Sequence, residues 1–165
     1  MKKIKLLKLI KMENKIIIAT NRKAYRNYII EEKYEAGMVL EGSEVKSVRS
    51  RNVNFKDSYA TVKNGEVILH SLHISPYNKI GYERIVPDKD RKLLLNRREI
   101  NRIMGRTTER GYTIIPLKIY LKGKYVKVEL GLAKGKKKYD KRRDIMKREY
   151  EREKERALKN YKKVV

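Results

Sequence analysis

Tyr125-Val126-Lys127-Val128-Glu129-Leu130 places an apolar side chain at every second position, with Tyr, Lys and Glu between. A period of two is that of a strand buried on one side, because successive side chains point to opposite faces. The strand is expected to run from Tyr125 to Leu132. Upstream, Tyr112 to Lys122 reads as a second long strand, and Gly123-Lys124 supplies the turn between them.

Further toward the N-terminus, a helix should begin after Leu93-Leu94-Leu95. Asn96 is a good N-cap and Glu99 lies three residues on, which approximates a capping box. Ile100, Ile103 and Met104 would give this helix its buried stripe, with Gly105 or Gly111 closing it. Tyr59–Lys63 and Glu66–His70 flank Asn64-Gly65, the strongest short hairpin signal. Continued to Ile74, the set Ile68, His70, Leu72 and Ile74 would share one face. Pro76 and Pro87 mark the ends of an irregular connection. Ser43 is placed to N-cap a short helix through Arg49, with Val45 and Val48 inward. Tyr25–Ile30 and Tyr34–Leu40 carry strand-like content. Strands dominate and no βαβ rhythm appears. The expected fold is mainly β with short helices, a small antiparallel barrel that closes on itself.

Lys and Arg number 44 against 20 Asp and Glu, a formal net charge of +24 with a pI near 10.1. That balance calls for a polyanion: RNA, DNA or an anionic membrane. There is no Cys, so disulfide scaffolds and thiolate metal sites are excluded. The two His, His70 and His73, are three apart; on a strand they face opposite ways and do not converge on a metal. No metal and no cofactor are expected. No apolar run approaches the ~20 residues of a membrane span. In the Met1–Lys11 stretch Lys5, Lys8 and Lys11 interrupt what a signal peptide would keep unbroken. Residues 1–13 read as a basic extension outside the fold, with Met12 an alternative start. Residues 14–133 then form the domain, and 134–165 the tail.

From Lys134 to Arg148 nine cations stand against Asp140 and Asp144, a net of +7. Beyond them Glu149–Arg152, Glu151–Lys154 and Glu153–Arg156 are i,i+3 pairs and Glu155–Lys159 an i,i+4 pair, all favouring a helix. Apolar anchors are sparse. The tail is expected to be disordered alone and helical once phosphates neutralise it.

Four blocks resemble the SmpB family, the SsrA-binding proteins that partner transfer-messenger RNA. They are Asn21-Arg22-Lys23-Ala24 with Glu35-Ala36-Gly37; Gly42 to Arg49 with Asp57-Ser58-Tyr59; Arg91 to Asn96; and Ala133 to Arg142, the most specific. The resemblance implies an OB-like barrel of six strands with three helices. It implies a cytoplasmic, monomeric RNA-binding protein that rescues ribosomes stalled on messages without a stop codon. In such proteins the barrel grips the tRNA-like domain of transfer-messenger RNA. The tail enters the vacant message channel near the decoding centre of the small ribosomal subunit, and elongation factor Tu delivers the aminoacylated complex.

Carried onto this chain, Glu35, Leu94 and Asn96 match positions tied to RNA binding, and Asn21, Arg22, Lys23, Lys46, Arg49 and Lys92 stand beside them in the same blocks. Lys134, Lys136, Lys137, Lys138, Tyr139, Asp140, Lys141, Arg142, Lys147 and Arg148 belong to the ribosome-sensing tail. Asn96 reads equally as helix cap and RNA contact, and Leu94 equally as core. Glu35 cannot attract phosphate, so it orders a neighbouring cation or accepts from a base or ribose hydroxyl. Arg51 departs from the family, which carries a small residue there. From composition alone a ribosomal or ribosome-assembly protein is the second reading. An RNA-cleaving enzyme is the third and is disfavoured: Ser43 and Ser47 lack a suitably spaced His, and the acids do not cluster as a Mg²⁺ site would.

Overall fold

The computed structural model describes residues 15–77, 86–109 and 111–164. The basic extension read at 1–13, and most of the connection between Pro76 and Pro87, lie outside the described residues.

The alternation at Tyr125–Leu130 becomes strand β9, Tyr125–Gly135, three residues longer than the pattern alone indicates. It pairs antiparallel with β8, Tyr112–Lys122, from Lys122↔Tyr125 to Tyr112↔Lys134, across a Gly123-Lys124 turn in which Gly123 has φ +58. The register shifts between Pro116 and Lys118. A proline has no N–H for the ladder, so a bulge is the natural outcome.

On its other edge β9 pairs with β2, Tyr28–Met38, from Tyr28↔Gly135 to Gly37↔Lys127. Next to β2 lies β7, Arg91–Leu94, then β5, Glu66–His70, then β4, Tyr59–Lys63. Strand β4 meets β8 at Ala60↔Ile114, so the run of antiparallel pairings returns to its start. Strand β1, Lys15–Thr20, adds to β8 alongside Lys118–Lys122. Val53–Asn54 (β3) and His73–Ile74 (β6) form a separate two-stranded pair.

Among the described residues there are four helices rather than three: α1, Arg22–Asn27; α2, Gly42–Arg49; α3, Arg97–Thr107; and α4, Lys138–Val164 in the tail. The inward faces of the strands build one core, in which Val67, Leu69, Ile119, Val128, Leu130 and Leu132 are fully buried. A smaller cluster joins Ala24 of α1 to Ile115, Leu117 and Ala133.

Several expectations change. Tyr25–Asn27 is helix, not strand: Asn21 caps α1 by accepting from the Ala24 N–H at 3.0 Å, and Ala24 docks on β8 and β9. The N-cap of α2 is Glu41, not Ser43, with Glu44 accepting the Glu41 N–H at 2.9 Å; Ser43 is buried and Val45 only half-buried. The inward set around β5 is Val67 and Leu69, then Leu72 and Ile74. Ser71, at φ +53, breaks the strand and reverses its phase, which leaves Ile68 and His70 half-buried. Helix α3 passes through Gly105, and Met104 is exposed, so Ile100 and Ile103 alone make its buried stripe.

Candidate nucleic-acid interface

The outward face of β2 carries Lys33, Glu35 and Gly37, because Tyr34, Ala36 and Met38 point into the core. The Glu35 carboxylate accepts from the Tyr120 hydroxyl at 2.6 Å, from Lys15 Nζ at 3.0 Å and from Lys122 Nζ at 3.3 Å. The Tyr120 hydrogen bond, followed by those from the two lysines, outweighs desolvation and holds the Glu35 carboxyl down to about 2. Tyr120 moves the opposite way, raised first by burial and then by the carboxylate. Lys15 also sits over the Tyr120 ring, 4.9 Å from its centroid. Glu35 therefore orders two cations, one of the roles open to it from sequence.

Glu129, opposite Glu35 in the β2–β9 ladder, repeats the arrangement with Lys33 at 3.7 Å and Lys118 at 3.9 Å. Tyr25 donates to Glu129 at 3.4 Å, and Lys33 lies over the Tyr25 ring. The result is a surface in which carboxylates fix the positions of a larger number of lysines.

Leu94 is 55% exposed, which removes the core alternative. It pairs with Gly37 and packs against it so closely that a Cβ there would stand 3.4 Å from Leu94 Cβ. Lys92, two residues earlier on the same outward face of β7, is ion-paired with Glu66. Asn96 follows at the start of α3 and forms the expected capping box, with its own N–H donating to Glu99 at 3.1 Å. Glu35, Lys92, Leu94 and Asn96 are thus brought to one region.

The other candidates lie elsewhere. Asn21 is buried: its Nδ2 donates to the Pro116 carbonyl at 3.0 Å while its Oδ1 caps α1. Arg22 and Lys23, exposed on α1, border a groove of about 930 Å³ between that segment and residues 51–59. Lys46 and Arg49 are exposed on α2, Lys46 lying 5.9 Å from the Tyr77 ring centroid. At the root of the tail Lys134 is in β9 and sits over the Tyr112 ring at 5.5 Å. Lys136 ties the tail to α1, its backbone N–H donating to Asn27 at 2.9 Å and its Nζ to the Tyr25 carbonyl at 3.1 Å. Lys137 is exposed. Lys138, Tyr139, Asp140, Lys141, Arg142, Lys147 and Arg148 all fall in α4, where Tyr139 is 75% exposed and Arg142 exposed.

Sequence reasoning missed Lys15, Lys33, Lys118, Tyr120, Lys122 and Glu129. For Lys118, Tyr120, Lys122 and Glu129 the signal was present in the alternation of β8 and β9, whereas Lys15 and Lys33 lie on β1 and β2. It also missed the tie between Glu44 and Arg91, both 2% exposed, in which Arg91 Nε donates to Glu44 Oε1 at 2.8 Å. His70 bonds Thr61 and Asp90, whereas His73 bonds Asp88.

A basic, mainly β protein whose exposed cations are held by carboxylates and interleaved with tyrosine rings belongs to the class of polyanion-binding proteins. The comparisons with known proteins narrow that class. The model of the SmpB protein family matches residues 18–160, and the chain belongs to that family. It is 56% identical over 148 residues to the SsrA-binding protein of Geobacillus kaustophilus (strain HTA426), covering 90% of this chain and 96% of that one. To the SsrA-binding protein of Caldicellulosiruptor bescii it is 57% identical over 145 residues, covering 88% and 92%. Among solved structures, a chain from "tmRNA-SmpB: a journey to the center of the bacterial ribosome" is similar at a TM-score of 0.63 and 46% identity, covering 73% of this chain and 85% of that one.

Proposed function

We propose that this protein binds the tRNA-like domain of transfer-messenger RNA and brings it to stalled ribosomes, so that the unfinished peptide is tagged and the ribosome released. The observation that carries this reading is the gathering of Glu35, Lys92, Leu94 and Asn96 on one outward region of a chain 56% identical to an SsrA-binding protein. On that surface Glu35 positions Lys15 and Lys122 for phosphate, Leu94 offers an apolar contact, and Asn96 presents its amide at a helix start.

The returning strand pairings are read as a closed, OB-like barrel over residues 14–133, with 1–13 as an extension and 134–165 as a tail that acts on the ribosome. The tail probes the empty message channel near the decoding centre through Lys137, Lys138, Lys141, Arg142, Lys147 and Arg148, with Tyr139 stacking on a base and Asp140 ordering the cations beside it. Its apolar residues Tyr139, Met146, Tyr150 and Leu158 are 60–75% exposed, so packing contributes little to the helix and phosphate contacts are its main support. Elongation factor Tu is the delivery partner, and the working unit is a cytoplasmic monomer without catalytic activity.

The test is the RNA that copurifies with the full chain from cells. Transfer-messenger RNA is expected as the dominant species. Ribosomal RNA alone, with no transfer-messenger RNA, would favour a ribosome-assembly protein instead.

A further inference from the structure

The groove beside α1 contains a feature that the surface around Glu35 lacks. Arg51 lies on its rim with φ +62, in the left-handed region where a side chain is sterically disfavoured and glycine is at ease. The backbone on both sides is pinned: the Arg51 N–H donates to Val48 at 2.9 Å, the Asn52 N–H to Ser47 at 3.0 Å, and the Ser75 N–H to Asn52 at 3.0 Å. These bonds close the C-terminal end of α2, so the turn itself fixes the left-handed angle, and an arginine stands where a glycine would be at ease. The consequence of that choice is a cation held at a fixed position on the groove.

What surrounds Arg51 fits one kind of ligand. Arg22, Lys23 and Lys56 are the other cations of the groove, all exposed. Tyr59 supplies an aromatic wall. The residue is 45% exposed and its ring is already stacked on His70, with centroids 5.0 Å apart, so one more planar group would extend an existing stack. The volume of about 930 Å³ is at the upper end of the range for ligand-sized clefts. Cations on a rim with an aromatic wall are how single-stranded nucleic acid is held, the phosphate by charge and the base by stacking.

We propose that this groove seats one unstacked nucleotide of a single-stranded RNA, its phosphate on Arg51 and its base against Tyr59. The proposal deepens the RNA-binding reading and rests on it. It makes Arg51 a phosphate clamp particular to chains with an arginine at this turn.

The decisive variant is Arg51→Gly, because the strain argument and the binding argument pull in opposite directions. Removing the side chain relieves the left-handed backbone, so the melting temperature should rise by a few degrees. The same change should weaken binding of a fluorescent seven-nucleotide oligouridylate several-fold and reduce the log–log salt slope by about 0.7, the share of one phosphate contact on a single strand. Tyr59→Leu keeps an apolar side chain at an exposed strand position. It should abolish the preference of the full chain for this oligonucleotide over an abasic one of equal length, a preference expected to be at least about five-fold.

Affinity for transfer-messenger RNA is measured on the same preparations. If the unaltered chain binds that RNA but Arg51→Gly leaves the oligonucleotide affinity and salt slope unchanged, the groove proposal alone is overturned. The same holds if the abasic strand binds as well as the uridylate. If the unaltered chain does not bind transfer-messenger RNA, the wider reading falls and the groove proposal falls with it.

Discussion

Arg91 and Glu44 form a fully buried ion pair that fastens β7 to α2 across 47 residues of sequence. Beyond its bond to Glu44, the guanidinium donates to the carbonyls of Leu72, Lys89 and Pro87. The second oxygen of Glu44 accepts the Glu41 N–H and lies 3.4 Å from Lys89 Nζ. Every strong donor and acceptor of the pair is thus occupied, which a buried pair requires if it is not to weaken the fold. Arg91→Met strands the carboxylate without its main partner and should cost about 3–5 kcal/mol by urea denaturation. Replacing both residues by apolar ones should cost less than either single change. A single variant as mild as a surface substitution would mean that the charges are hydrated.

Acid should reveal Glu35. Its carboxyl is held to about 2 in the folded protein against an ordinary 4.5, so the folded state resists a proton that the unfolded state accepts. The stabilisation is complete above about 4.5 and drains away as the pH falls toward about 2. Glu35→Gln should flatten the stability profile across that window and leave it unchanged in shape above it, as measured by denaturant titration at stepped pH.

The two roles of Asn96 separate by substitution. Asn96→Ala loses the cap and should cost about 1 kcal/mol of stability. Asn96→Asp keeps a good cap but brings a negative charge to the RNA surface, so it should melt near the unaltered protein while binding transfer-messenger RNA less tightly. Equal affinity in the Asp variant would restrict Asn96 to the fold.

Gly131 is required by close approach rather than by its backbone angle. A Cβ there would stand 2.9 Å from Leu117 Cδ1 and 3.1 Å from Ile30 Cγ2. Gly131→Ala should therefore destabilise the sheet by about 1–3 kcal/mol through overpacking, and Leu117→Val in the same chain should recover part of the loss in thermal melts.

Charge reversal at Lys137, Lys141 and Arg142 should leave affinity for isolated transfer-messenger RNA unchanged and abolish peptide tagging on stalled ribosomes. Ribosome engagement by roughly six tail cations should fall with salt at a log–log slope on the order of −4. Parallel loss of RNA affinity and tagging would show that tail and sheet do not divide the work.

What the sequence disclosed was local. Asn64-Gly65 is the hairpin turn, with both residues at positive φ, and the Asn96–Glu99 box starts α3 where the pattern places it. The alternation in Tyr125–Leu130 gave the right face, because short-range chemistry decides each of these. Where packing decides, the sequence was silent or misleading. Tyr25-Arg26-Asn27 has strand content, yet the docking of Ala24 on Leu117 and Ala133 makes it helical. Ser71 carries no visible sign of the left-handed turn that reverses the phase after β5. The Glu44–Arg91 pair belongs to two separate family blocks, and only the folded chain shows that they touch. The grouping of Glu35 with Leu94 was likewise invisible, since it depends on Gly37 lying between them in the sheet.

Strand β9 runs without a loop to Gly135, Lys136 is bound to α1, and α4 begins at Lys138. Twenty-seven helical residues extend about 40 Å, measured from an origin that the sheet itself sets. On the proposed reading such a tail would act as a gauge: its far end would arrive at its target only when everything upstream is seated, and a two- or three-residue insertion after Gly135 would misread that distance while leaving every charge in place.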